Sequence, residues 1–375
     1  MILATSQAAV GVVILFITVV VAVAYAFLNV RAGRAEVGSE IELAPNRKPY
    51  VSDEELEGRK LDRTLTLGLL GIFVLAVGLP LYWLAEPGRQ SGAVAEFGRR
   101  FDSRGKAMFD TTSNGGFNCA FCHGGLQAQG SQVDYTITDA NGQFVRQVKW
   151  KAPALNTVLL RYSRDEVRYI LTYGRPFSPM PAWGLKGGGP LNDQQLQNLI
   201  DYLQSIQLTP KQAQKEVLAG LQQEMDLAKK AGKPYGSEGE ALFNLGYYSN
   251  FAGGAYACAR CHTQGWSYGD KAADGSGAMG PNLRGGDAVR QFPGTILGFN
   301  QQVDFVCSGS DEGKLYGRQG QGSGRMPGFC STPEEKADNP LEVGVNKKDA
   351  SDPVKVGGML TKQQVEAIVR YERSL

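Results

Sequence analysis

Cys119-Ala-Phe-Cys122-His123 and Cys258-Ala-Arg-Cys261-His262 close on the two histidines of the 375-residue chain. Two thiols three positions apart can each add to one vinyl group of a haem, and the adjacent imidazole then reaches the iron as proximal ligand. C-x-x-C-H is therefore the attachment signature of c-type haem, and two copies imply two covalently attached haem c groups. A lone C-x-x-C also fits a thioredoxin-like redox pair or half of a zinc ribbon. Neither explains why each histidine follows a cysteine pair, and one zinc shared by Cys119, Cys122, Cys258 and Cys261 would leave both histidines without a role.

With no third histidine to supply bis-histidine coordination, methionine is the next sixth ligand to consider. Of the seven methionines, Met180 in Arg175-Pro-Phe-Ser-Pro-Met180-Pro and Met326 in Gly324-Arg-Met326-Pro-Gly stand in Pro/Gly-rich loops. Such loops are where a side chain can be presented across a haem face. Both are followed by proline, 61 and 68 residues after the first cysteine of their pentapeptides. Met279, in Gly-Ala-Met279-Gly-Pro281, competes for the second iron but abuts a different motif.

The same order of signals surrounds each pentapeptide, which points to an internal repeat. Gly105-Lys-Ala-Met-Phe109 and Gly239-Glu-Ala-Leu-Phe243 precede them. A proline turn follows (Ala152-Pro153-Ala-Leu155, Gly280-Pro281-Asn-Leu283), then the methionine loop, then a closing helix. Asn192-Asp-Gln-Gln195 and Thr361-Lys-Gln-Gln364 have the form of capping boxes. Leu196, Leu199, Ile200 and Leu203 mark one helix face, as Val365, Ile368 and Val369 mark the other.

This succession resembles the class I cytochrome c family over about residues 94–207 and 236–375. The resemblance implies an all-α fold of a few helices wrapped on each haem. It makes His123 and His262 proximal ligands, Met180 and Met326 distal ligands, and Pro153 and Pro281 the residues whose carbonyls orient the imidazoles. Tyr202 and Tyr371 fall where the closing helix crosses the Gly/Phe helix. The second copy departs from the pattern with Phe251 to Tyr256 before its pentapeptide and a polar stretch from Ser331 to Gly358. Between the copies, residues 208–235 form a linker, in which Thr209 to Lys230 reads as a polar helix with Pro210 in its first turn, a spacer and not a floppy tether.

Residues 1–86 read as a transmembrane helical hairpin. Ala8 to Leu28 and Thr64 to Ala85 are apolar and free of charged residues, and at about 1.5 Å per residue each spans roughly 30 Å, the hydrocarbon thickness of a bilayer. A cleaved signal peptide is the competing reading of the first, but no Lys or Arg precedes it and its apolar run is too long. The connection Asn29 to Arg63 carries seven basic residues and the first ten residues none, which places the connection in the cytoplasm. Attachment of haem to C-x-x-C-H outside the cytoplasm puts everything after Ala85 on the other side. The location expected is the plasma membrane, with two spans.

A net charge of +2 offers nothing to nucleic acid. Neither Gly317 to Gly324 nor Gly187 to Gly189 contains a phosphate-loop pattern. Cys307 and Cys330 lie on the exported side, where disulfides persist; a bridge would close a 24-residue loop and restrict the unfolded chain by roughly 3 kcal/mol.

Irons saturated by histidine and methionine change oxidation state and do little else, so no catalytic site is expected. A dihaem peroxidase or dehydrogenase would need an opened iron and acid/base groups beside it. The chain is similar in part to two electron-transfer subunits. One is the dihaem cytochrome cc subunit of actinobacterial-type menaquinol:cytochrome c reductase (bcc) complexes, whose partners are cytochrome b and the Rieske iron-sulfur protein. The other is the dihaem subunit of cbb3-type terminal oxidases. The first is favoured.

Overall fold

A computed structural model describes residues 13, 16, 17, 19–21, 23–28, 57–139, 141–175, 178–310, 326–330 and 358–375. The chain divides into two compact units, Met1–Gln90 and Ser91–Leu375.

In the first unit, the described residues of the expected first span are helical. The rest of that span and residues 29–56 of the connection lie outside the described residues. Helix α1, Arg59–Phe109, contains the whole of the expected second span. It begins earlier than the sequence suggests, so Arg59, Lys60 and Arg63 belong to its first turns and not to a loop. It also does not stop at Ala85. Pro80 and Pro87 lie inside it, and the helix continues into the Gly105–Phe109 segment of the second unit. Its apolar stretch is long enough to cross a membrane, and none of it is buried within the chain. A helix with apolar residues on every side is suited to lipid, not to water.

The second unit is mainly helical. After α1 come α2 (Cys119–His123), strands β1 (Ser131–Thr138) and β2 (Phe144–Ala152), α3 (Arg164–Tyr173), α4 (Asp193–Ser205) and α5 (Pro210–Lys230). Then follow α6 (Glu238–Phe243), α7 (Ala259–His262), α8 (Asp287–Gln291), α9 (Ile296–Ser308) and α10 (Lys362–Glu372). The hairpin corrects the all-α expectation. β1 and β2 pair antiparallel, Ser131 opposite Ala152 and Thr138 opposite Phe144. The turn is closed by Asp139, whose Oδ1 accepts from the amides of Asn141 (2.8 Å) and Gln143 (2.9 Å), while Gly142 takes φ 77°.

Helices α4 and α10 begin alike. Asn192 accepts from the Gln195 amide and Thr361 from the Gln364 amide, and each glutamine reaches back to its cap residue. Such a cap contributes about 1 kcal/mol. Leu196, Leu199, Ile200 and Leu203 are buried on α4, and Val365, Ile368 and Val369 on α10. Each helix crosses a glycine at close range. A Cβ on Gly105 would stand 1.9 Å from the Asn198 carbonyl oxygen, and one on Gly239 2.0 Å from that of Ala367. Four residues on, Phe109 meets Tyr202 and Phe243 meets Tyr371, both with ring centroids 5.4 Å apart.

Helix α5 is ordered, as a spacer would be, and it is also packed along one face. Thr209 caps it, Pro210 occupies its first turn, and Ala213, Val217, Gly220, Leu221, Glu224 and Ala228 are buried along one face. Glu224 is fully buried. Its carboxylate accepts from the Tyr235 hydroxyl (2.8 Å), the amides of Gly246 (3.1 Å), Tyr248 (2.9 Å) and Ser249 (2.9 Å), and the Ser249 hydroxyl (2.6 Å).

Candidate haem attachment sites

One turn of helix brings each cysteine pair and its histidine together. Cys119 and Cys122 are three residues apart on α2, so both thiols share a face. Asn118 before them is left-handed (φ 68°) and Gly124 after them takes φ 84°, so the turn is bounded sharply at both ends. Its exit is tied down by Gly130 N donating to the His123 carbonyl (2.8 Å) and by Ser131 Oγ donating to that of Cys122 (2.7 Å). In α7 the His262 amide donates to the Cys258 carbonyl at 3.0 Å.

Both imidazoles are buried and both are oriented by proline. His123 Nδ1 lies 2.8 Å from the Pro153 carbonyl, and His262 Nδ1 lies 2.8 Å from that of Pro281. A carbonyl can only accept, so Nδ1 carries the proton and Nε2 keeps its lone pair for a metal. Burial holds His123 down to about 4, against the opposing pull of the Pro153 carbonyl. His262 is lowered for the same reason. Neutral imidazole is the ligand form. In sequence the two histidine–proline pairs are 30 and 19 residues apart. The hairpin absorbs the difference, because an antiparallel pair returns the chain to where it left.

The two methionine loops are built on one plan. Helices α3 and α9 end at Gly174 (φ 73°) and Gly309 (φ 77°). The next residue then donates its amide to the methionine carbonyl, Arg175 to Met180 at 3.1 Å and Ser310 to Met326 at 3.0 Å. Three residues past each methionine the chain bonds back to the helix, Trp183 N to Leu171 O (2.9 Å) and Phe329 N to Val306 O (3.2 Å). It then runs parallel to the closing segment through Gly184–Leu191 and Cys330–Leu360. Where Gly184 packs on Thr172 in the first loop, the second holds a disulfide between Cys307 and Cys330. Met279 lies in a different place. Its neighbours Ala278 and Gly280 both bond the Cys261 carbonyl, and a Cβ on Gly280 would sit 2.7 Å from His262 Cε1. That loop belongs to the proximal wall.

The donor set fits haem c better than its rivals. Burial pushes the Cys119 thiol up to about 12 and the Cys258 thiol well above its usual range. A thioredoxin-like pair instead needs an easily formed thiolate. None of the four cysteines is in a disulfide, and the described residues bring no three of His, Cys, Asp or Glu together as a metal cluster, which the shared-zinc alternative requires. Arg161, buried with Nη1 on the Ala255 carbonyl (3.0 Å) and Nη2 on that of Ala154 (3.3 Å), has no hydrogen-bond partner for Nε. A buried cationic donor left without a partner suits an anionic edge group of a bound cofactor.

Residues 103–203 match the family model described as cytochrome C oxidase, cbb3-type, subunit III. These residues form a cytochrome c domain. Such a domain carries covalently bound haem c and supports an electron-transfer role. The match takes in Cys119, Cys122, His123, Pro153 and Met180 and ends before α5. No curated protein and no solved structure matched the chain. Arg161, Arg260 and Glu224 were not singled out by the sequence. Each works through partners remote in the chain, and no local pattern announces it.

Proposed function

We propose that the chain is a membrane-anchored dihaem cytochrome c, with tandem domains at 94–207 and 236–375, that relays electrons in a respiratory membrane complex from a quinol-oxidising cytochrome b/Rieske reductase toward a terminal oxidase. The observation that carries this reading is the recurrence of one site geometry. The second segment, outside the family match, repeats the proline-bound histidine, the glycine-crossed closing helix and the glycine-ended methionine loop of the first.

In each site the cysteines would tether the group, Pro153 or Pro281 fixes the imidazole tautomer, and Met180 or Met326 would supply the sixth ligand. Haem c, when bound, supplies one-electron chemistry, and thioether ligation favours a high potential. The residues around it exclude water and hold the ligands still. The site has no distal histidine to act as acid or base, because both histidines are engaged as proximal ligands. The anchor is a two-helix hairpin with its connection in the cytoplasm and both haem domains outside. The apolar, unburied stretch of α1 supports the membrane placement, and the Cys307–Cys330 bridge supports an oxidising compartment.

A second reading, the dihaem subunit of a cbb3-type terminal oxidase, has its own observation. The family model matched by residues 103–203 is described as subunit III of a cbb3-type cytochrome c oxidase.

Haem content and redox titration test the reading. Two covalent haems per chain are expected. Met180→His and Met326→His are each expected to lower the potential of one haem and leave the other's spectrum alone. One haem per chain, or no spectral change in either variant, overturns the assignment.

A further inference from the structure

The second pentapeptide reaches into the first site. Arg260 fills one of its variable positions, and Nη1 donates to the carbonyls of Lys151 (3.0 Å) and Gly253 (2.9 Å). Lys151 is two residues before Pro153, whose carbonyl holds the His123 imidazole. Around that strand the two segments interlock. The Ala154 amide donates to the Ala252 carbonyl at 2.9 Å. A Cβ on Gly253 would lie 1.8 Å from the Ala152 carbonyl oxygen, and one on Gly130 would lie 2.5 Å from the Ala252 carbonyl carbon. Ala252 is itself held left-handed at φ 48°, a conformation that a non-glycine residue keeps only where its surroundings impose it. The stretch ahead of the second pentapeptide, an insertion by sequence, thus forms the outer wall of the first proximal pocket. Arg260 makes no salt bridge to a carboxylate among the described residues, so its charge on that wall is not cancelled locally.

We propose that Arg260 is a positioning residue of the first haem site, holding the 151–154 strand that orients His123 and raising that haem's potential through its fixed positive charge. The proposal rests on the dihaem reading. A ferric centre carries one more positive charge than a ferrous one, so an uncompensated cation nearby disfavours oxidation. The effect crosses from one domain to the other, and an alteration in the second motif registers at the first iron.

Redox titration of the detergent-solubilised full chain, with haem content measured on the same samples, tests this. Met180→His identifies the wave of the first haem. In Arg260→Gln that wave is expected to fall by about tenfold in equilibrium constant, ~59 mV for one electron, with the other wave moving less. Arg260→Lys keeps the charge and is expected to retain most of the potential. Equal shifts in the two variants, a shift confined to the second wave, or no shift with both haems retained overturns the proposal. If Arg260→Gln loses a haem, peptide mass locates the loss. Loss at Cys119 and Cys122 supports the proposal and loss at Cys258 and Cys261 overturns it. A wild-type chain with a single haem, or one in which Met180→His moves no wave, fails the dihaem reading itself, which is a different outcome.

Discussion

Gly280 shows how little room the His262 imidazole leaves its neighbours. Its missing side chain is filled by the His262 ring, with Cε1 2.7 Å, Nδ1 2.9 Å and Nε2 3.1 Å from where a Cβ would stand. The imidazole cannot retreat without breaking its hydrogen bond to Pro281. Gly280→Ala is expected to tilt the ring, costing about 1–3 kcal/mol as an overpacked contact does, and, on the proposed dihaem reading, to produce a high-spin component or a lowered potential in the second haem alone. Absorption and electron paramagnetic resonance spectra check this, and an unchanged second haem would show that the ring is not so confined. The two C-x-x-C-H pentapeptides were legible in the sequence because their residues stand at fixed local spacing. Gly280 was legible only as part of a proline turn, since what fills its space comes from eighteen residues away.

Among the elements, α5 departs furthest from its sequence. Its polar composition suggests a spacer, yet Glu224 collects five donors from the segment leading to the second pentapeptide. A buried carboxylate is retained only when its lone pairs are satisfied, and this one pins residues 235–249 to the helix. Glu224→Gln puts an amide donor among groups that are all donors. It is expected to lower stability by about 2 kcal/mol, the order of one lost charged hydrogen bond, read by calorimetry of the intact protein in detergent. An unchanged unfolding temperature would mean the cluster adds nothing. The β1–β2 hairpin also escaped the sequence reading. Val133, Tyr135 and Ile137 alternate with polar residues ahead of Asn141-Gly142, a hairpin signal. The resemblance to an all-α family masked it. Capping boxes, by contrast, were readable at Asn192 and Thr361, because a cap is a contact between residues three apart.

At the scale of the whole molecule, residues 91–375 form one compact unit, although the sequence divides them into two domains and a linker. On the proposed dihaem reading, interlocked domains would suit a relay, whose two haems must keep a constant separation. A relay is also expected to stay with its complex. Extraction in mild detergent should recover the chain with cytochrome b and a Rieske protein on the first reading, or with a haem-copper oxidase core on the second. Recovery of the chain alone as a stable monomer would count against both. Local chemistry, written in the sequence, determined the C-x-x-C-H pentapeptides, the helix caps and the apolar span, because each depends on residue types at short or regular spacing, whereas the Cys307–Cys330 pairing came from the structure. Only the tertiary structure decided that Arg260 bonds the Lys151 carbonyl, that Glu224 is buried and that the loop holding Met279 lies against His262. Those outcomes depend on which distant backbone groups come within hydrogen-bond reach once the chain has packed, and no spacing along the chain encodes that.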